Sequence, residues 1–193
     1  LRMLIKRDPL PEDWSDDLQS GLTVISNRSG GLSRFMSAYA RLTQLPPPQP
    51  SMIHVDEWVQ RVVALENRLR VVVVGGPDLQ IRADGDQLDQ LLINLIGNAV
   101  DAAIETRGGV RVHWRHGEGF AERLILEVED DGPGLPPTQN LFVPFFTTKP
   151  QGSGIGLVLS RQIAEAHGGS LTLENRRQGT GCNARLVLPM EAA

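Results

Sequence analysis

Leu45-Pro46-Pro47-Pro48-Gln49-Pro50 limits what this chain can become more than any other stretch. Proline lacks the amide donor and its ring clashes with the turn before it, so no helix can run through. Residues 46–50 therefore read as a stiff linker joining two differently patterned regions, 1–45 and 51–193.

Upstream, Leu18, Leu22, Ile25, Ser29, Leu32, Met36 and Tyr39 alternate at spacings of four and three. That is a heptad seam with one polar interruption, and it predicts a helix from about Trp14 to Gln44. Phe35 and Leu42 widen the apolar face towards what a helix bundle needs. Residues 1–7 read as the end of a preceding helix stopped at Asp8-Pro9, so region 1–45 is expected to be part of a helical hairpin that dimerises.

Downstream the pattern mixes helices and strands. Asp56 is placed to cap a helix reaching about Leu69. Strands are expected at Arg70–Val74 and Leu79–Arg82 around a Gly75-Gly76-Pro77 turn. Asp84 opens a long helix to about Thr106, followed by strands at Val110–Arg115 and Arg123–Asp130. A loop from Gly132 to about Ile155, a helix to His167, and strands at Leu171–Glu174 and Asn183–Leu188 complete the chain. Structureless connections as long as 132–155 are usually functional inside a compact domain.

Composition narrows the function classes. Of the 193 residues, 40% are apolar, enough for a packed core, and the formal net charge of −4 offers no general field for nucleic acid. Cys182 is the sole cysteine, which excludes an intrachain disulfide and fits a reducing, cytoplasmic setting. No run approaches the roughly 18–20 apolar residues that span a bilayer, though the parent protein is free to be membrane-anchored. The chain opens Leu1-Arg2-Met3-Leu4, with neither initiator methionine nor signal layout, and reads as a piece of something longer.

Three segments carry chemistry. On the helix from Gln87 to Glu105 one face is oily (Leu88, Leu91, Leu92, Leu95, Ile96, Ala99, Ala103), and Asn94, Asn98 and Asp101 share the other. Asparagine is a poor helix former for a merely solvated face. Strand alternation next puts Leu124, Leu126, Val128 and Asp130 in one row, so a core row ends in a carboxylate. Gly132-Pro133-Gly134 follows, a turn that lets a flat ligand approach backbone. Last, Gly152-Ser153-Gly154-Ile155-Gly156-Leu157 leads into a helix and exposes N–H groups suited to phosphate, with Thr147, Thr148 and Lys149 just before it. Its spacing is neither the dinucleotide fingerprint nor Walker A. Each segment alone also suits an ordinary amphipathic helix, turn or flexible loop.

Together, in this order, the segments resemble the GHKL ATPase/kinase superfamily in its histidine kinase branch. Asn94-Leu-Ile-Gly-Asn98-Ala is similar to the N box, Asp130-Asp-Gly132-Pro-Gly134 to the G1 box, Phe142-Val-Pro-Phe145-Phe146-Thr147-Thr148-Lys149 to the F box, and Gly152-Ser-Gly154-Ile-Gly156-Leu157 to the G2 box. The similarity covers about 51–189, and the lid resembles the nitrogen-regulation-like subgroup. It implies an α+β Bergerat-type sandwich, a mixed sheet covered on one face by helices, with ATP between the helices and a lid at 135–155. By that analogy Asp130 meets the adenine amino group, and Asn98 ligates Mg²⁺ with Asn94 as second ligand or phosphate contact. Gly152, Gly154 and Gly156 wrap phosphates, and Lys149 balances their charge. Two positions depart from the pattern: Asp101 stands where many relatives carry a base, and Cys182 where a threonine often assists adenine binding.

The implied activity is transfer of the ATP γ-phosphate to a histidine on the dimerisation helix, for relay to a response regulator. Hydrolysing relatives place a glutamate where this chain has Asn94, which cannot take a proton at neutral pH. The histidines are His54, His113, His116 and His167, none of them in 1–45, so the acceptor is expected upstream of this sequence. The alternative is a regulatory nucleotide-binding module without catalysis.

Overall fold

The computed structural model describes residues 14–43, 45–117, 122–138, 140–147, 149 and 152–190. They form two compact units dividing between residues 44 and 45. In the first unit, α1 (Trp14–Thr43) is a single helix with Asp16 and Asp17 in its first turn, where carboxylates complement the helix dipole. Of its seam, Leu22, Ile25 and Met36 are each more than half exposed. The helix end expected at residues 1–7 lies outside the described residues.

The second unit is built on a five-stranded sheet of β2 (Val71–Gly75), β4 (Val110–His116), β5 (Arg123–Asp130), β7 (Cys182–Pro189) and β6 (Ser170–Asn175), in that spatial order. The β2–β4 pair is parallel and the others antiparallel, so the sheet is mixed as expected. Helices α2 (Val55–Val63), α3 (Gly85–Thr106) and α4 (Gly156–Ala166) supply the apolar cover. The oily stripe of α3 supplies Leu88, Leu91 and Leu92 at 0% exposure to the side of the core where α3 meets β5, whose Leu124 and Leu126 are also at 0%. Each such side chain contributes roughly 1.5–3 kcal/mol by leaving water. The opposite face of the sheet is polar. There Glu127, though buried, accepts hydrogen bonds from Asn183 and Arg185 at 3.0 Å each and lies 3.1 Å from His113 Nε2.

Three local expectations are corrected. A strand missed in the sequence, β1 (Ser51–His54), pairs antiparallel with β3 (Gln80–Ala83) as a small second sheet. Four residues directly after a proline carried too little alternation to be read as a strand. Helix α2 begins at Val55 with His54 in the capping position, so Asp56 is a first-turn residue rather than the cap. It also stops at Val63 instead of Leu69, because Val55, Trp58, Val59 and Val62 complete its buried stripe and Leu65 is 64% exposed. The 64–70 segment that this frees matters below.

The ends of α3 and α4 are tied together. Asp84 caps α3 by accepting the Gln87 N–H at 3.1 Å, as its position suggested. The Asp84 N–H donates to His167 Nε2, and His167 Nδ1 lies 2.8 Å from the Ile163 carbonyl. One neutral tautomer, with the proton on Nδ1, satisfies both bonds. No described helix is long and apolar enough to cross a membrane.

Candidate active site

β5 delivers Asp130 to the floor of a cavity of about 170 Å³ beneath α3. Leu95, Ala99, Ala102, Val128, Leu173 and Ala184 make its walls apolar, while Asn98 and Lys149 line it too. Asp130 is only 5% exposed. Its Oδ1 accepts the N–H of Gly132 at 2.8 Å and of Cys182 at 3.2 Å, and among the described residues nothing donates to Oδ2. Burial lifts the Asp130 carboxyl above its usual range, opposed by those two bonds. One ordered oxygen and one open acceptor at the end of an apolar slot suit a planar ring bearing an N–H donor.

The backbone around Asp130 needs glycine. Gly181 has φ +116°, and a Cβ there would lie 1.9 Å from the Asp130 carbonyl oxygen, so β7 enters the sheet directly over this residue. A Cβ on Gly132 would sit 2.6 Å from that of Ala102. Cys182 contributes its main-chain N–H to Asp130, and burial pushes its thiol up to about 12, so the side chain serves as neutral wall. Beside it, Asp131 accepts from Arg111, Arg176 and the Gly109 N–H. Arg111 foremost holds its carboxyl down at about 2.

A second cavity, about 140 Å³, is lined by Asn98, Phe146, Thr147, Lys149, Gly154, Gly156 and Leu157. It shares Asn98, Lys149 and Leu157 with the first, so the two adjoin along α3. Gly156 opens α4, whose capping residue Ile155 offers no side-chain bond to the first-turn N–H groups. Those donors are the kind that hold phosphate. A Cβ on Gly156 would lie 2.4 Å from Asn94 Oδ1. Gly154 has φ +66°, and a Cβ there would meet the Phe145 backbone at 2.4 Å. Phe145 itself takes φ +67°, and its N–H donates to the Gly154 carbonyl at 2.9 Å. A non-glycine residue in that region is a strained position of the sort that marks ligand clamps.

The amide stripe has definite partners. Asn94 Nδ2 donates to the fully buried Ser160 Oγ of α4 at 2.9 Å. Lys149 Nζ donates to Asn98 Oδ1 at 2.8 Å and to Asp101 Oδ2 at 2.5 Å. Asp101 Oδ1 in turn accepts from Arg68 at 2.6 Å.

Most of the residues singled out in the sequence converge here. Asn98, Asp130, Gly134, Thr147, Lys149, Gly154, Gly156 and Leu157 line the paired cavities, with Asn94 against Gly156 and Gly132 beneath Ala102. A Cβ on Gly152 would lie 2.3 Å from Thr147 Oγ1, whereas Ser153 is exposed and lines neither cavity. Thr148 lies outside the described residues. Sequence reading missed Ser160 and Arg68, which no motif contains.

A larger concavity of about 430 Å³ lies on the polar sheet face, between Glu127, Glu174, Arg176 and Arg185. Its acids and bases largely neutralise one another and it has no apolar seat, so the smaller pair of cavities is the better site. Magnesium takes one or two protein oxygens and completes its shell with phosphate and water. Asn98 Oδ1, which accepts from the Lys149 side chain, is an oxygen of the kind that demand calls for. Among the described residues no cluster of three or more His, Cys, Asp or Glu offers a metal site of its own.

Comparison with known proteins agrees with this fold. Residues 83–192 match the family described as histidine kinase-, DNA gyrase B-, and HSP90-like ATPase. The chain belongs to this family. Within it, the second unit is the ATP-binding catalytic domain of the sensor histidine kinase kind. The sensor protein kinase PilS of Pseudomonas aeruginosa is 34% identical over 168 residues, spanning 82% of this chain and 32% of that protein. The sensory histidine kinase/phosphatase NtrB of Salmonella typhimurium is 31% identical over 146 residues, 66% of this chain and 42% of its own length. This chain thus spans less than half of either relative. The solved catalytic domain of histidine kinase ThkA aligns with TM-score 0.65 at 29% identity, covering 75% of this chain and 97% of that one. ThkA in complex with the response regulator TrrA shares the fold with TM-score 0.68 at 23% identity, over 98% of this chain and 55% of that one.

Proposed function

We propose that the chain is the ATP-binding catalytic part of a sensor histidine kinase that passes the γ-phosphate to a histidine on the dimerisation helix, for relay to a response regulator aspartate. The observation that carries this is the pairing of an open Asp130 carboxylate oxygen at one end of the slot with the Asn98–Lys149 contact at the other. Adenine fits the first end, its exocyclic amine donating to Oδ2, and the phosphates fit the second, beside the first turn of α4. Gly132 and Gly134 keep backbone close to the ring. Gly154 and Gly156 offer N–H groups to phosphate oxygens, while the Gly152 N–H is held by the Lys149 carbonyl at 3.0 Å, and Thr147 and Leu157 line the same end.

Mg²⁺ bound with the nucleotide would be held by Asn98, with Asn94 second, and supplies neutralisation of the phosphate oxygens. The acceptor imidazole nitrogen attacks the γ-phosphorus, forming a P–N bond while the P–O bond to the leaving ADP breaks. The electron pair goes to the β-phosphate oxygen, the proton on the other ring nitrogen passes to solvent, and the Lys149 ammonium would balance the new charge. Positioning and electrostatics supply the catalysis. Asn94 donates to Ser160 and has no basic oxygen for a water proton, so transfer is favoured over hydrolysis.

Residues 1–45 are proposed to form half of a homodimeric helical hairpin, supported by the exposed Leu22, Ile25 and Met36 on α1. The crystallised ThkA–TrrA complex supports a receiver-domain partner, and the likeness to NtrB supports the nitrogen-regulation-like subgroup. The reading is tested by mixing this chain with a longer version that carries Asn98→Ala and retains the upstream helix. Radiolabel from γ-labelled ATP is expected on the longer chain; intact nucleotide binding with no label transferred would rule out the kinase reading.

A further inference from the structure

Arg68 stands in the 64–70 segment that follows α2, outside every recognised motif, yet its guanidinium pairs with Asp101, the carboxylate that also holds Lys149. Glu66 grips it from one side, through 3.0 Å to Nε and 2.7 Å to Nη2, and also accepts the Arg68 main-chain N–H at 2.8 Å. On the other side Nη1 donates to Asp101 Oδ1 at 2.6 Å. Asp101 gives its second oxygen to Lys149, which also holds Asn98. A continuous chain of charge therefore runs Glu66–Arg68–Asp101–Lys149 and ends on the Asn98 amide.

Gly97 lies alongside it: a Cβ there would sit 3.8 Å from Arg68 Nη2, in ordinary van der Waals contact, so the guanidinium runs against this stretch of α3.

The arrangement answers an electrostatic problem that Asp101 creates. A lone carboxylate one turn from Asn98 would repel polyphosphate, and it would hold the single lid cation firmly to α3. With Arg68 in place the two carboxylate oxygens serve two cations. Lys149 can then leave while Asp101 stays paired. We propose that Arg68 is a positioning residue of the phosphate site: by neutralising Asp101 it frees Lys149 to move from α3 onto the nucleotide phosphates. This rests on the nucleotide reading given above and adds a residue to it. Arg68 acts through Asp101 and touches no phosphate itself.

The experiment measures ATP affinity with Mg²⁺ by fluorescent-nucleotide titration for four proteins: wild type, Arg68→Met, Asp101→Asn and the double variant. Arg68→Met is expected to weaken ATP about five- to tenfold, an effect that shrinks with added salt. The double variant is expected to bind as Asp101→Asn does, because with the carboxylate gone nothing is left to neutralise. A residue that merely braced the 64–70 segment on α3 would not be rescued in this way. A double variant as weak as Arg68→Met overturns the proposal while leaving the site reading intact; wild-type protein that binds no ATP overturns the site reading itself. Should Arg68→Met fail to fold in a melting scan, Asp101→Asn alone decides. It must bind ATP at least as tightly as wild type, and weaker binding overturns the role of Arg68.

Discussion

Asp130 and Asp131 are neighbours on one strand end with opposite electrostatic fates. Asp130 is buried with a single ordered oxygen, and its carboxyl is pushed up; Asp131 lies between Arg111 and Arg176 and is held at about 2. The Asp131 value lies below the ordinary 3.8. As pH falls, the unfolded chain therefore takes up its proton first, and the stability Asp131 contributes is present above about pH 4 and lost as pH falls towards about 2. Asp131→Asn should cost roughly 1–2 kcal/mol at neutral pH, allowing for solvent screening, and should flatten acid melting curves over that window. Thermal melts of both proteins between pH 2 and 7 check this. At this scale Asp130 was legible, since strand alternation alone placed it in the buried row. Arg68 and Ser160 were not: each meets its partner across 33 and 66 residues of chain, and no local period encodes such a meeting.

The elements that place the site divide the same way. The stripe of α3, the alternation of β5 and the Asp84 cap all declared themselves, because each needs only local periodicity. The early end of α2 did not, because Leu65 continues the apolar pattern while packing against nothing that would hold a further turn. Strand β1 became a strand only through β3, whose register partner for Ile53 is Ile81. The junction of the lid with α4 is the element most exposed to test. Gly156→Ala would set a methyl against the Asn94 amide, which is fixed by Ser160. Nucleotide affinity should fall by at least about tenfold, while the melting temperature falls by about 2–12 °C, since overpacking here costs about 1–3 kcal/mol. Parallel titration and melting measurements separate the two effects.

At the scale of the whole molecule, an exposed apolar seam on α1 and an ATP-binding fold belong to one chain, and each asks for a different partner. On the reading proposed above, the seam pairs with a second copy. Sedimentation equilibrium should show concentration-dependent dimerisation that Ile25→Asp weakens while leaving ATP binding unchanged. The catalytic unit asks first for a nucleotide, and that demand can be measured without any acceptor. Titrating wild type and Asp130→Asn with ATP, both shown to be folded, tests the central claim most directly. The amide in place of the carboxylate can present an N–H to the ring amine at the slot floor, so the account predicts a loss of affinity of at least about a hundredfold. Wild-type affinity in a folded Asp130→Asn protein would contradict it.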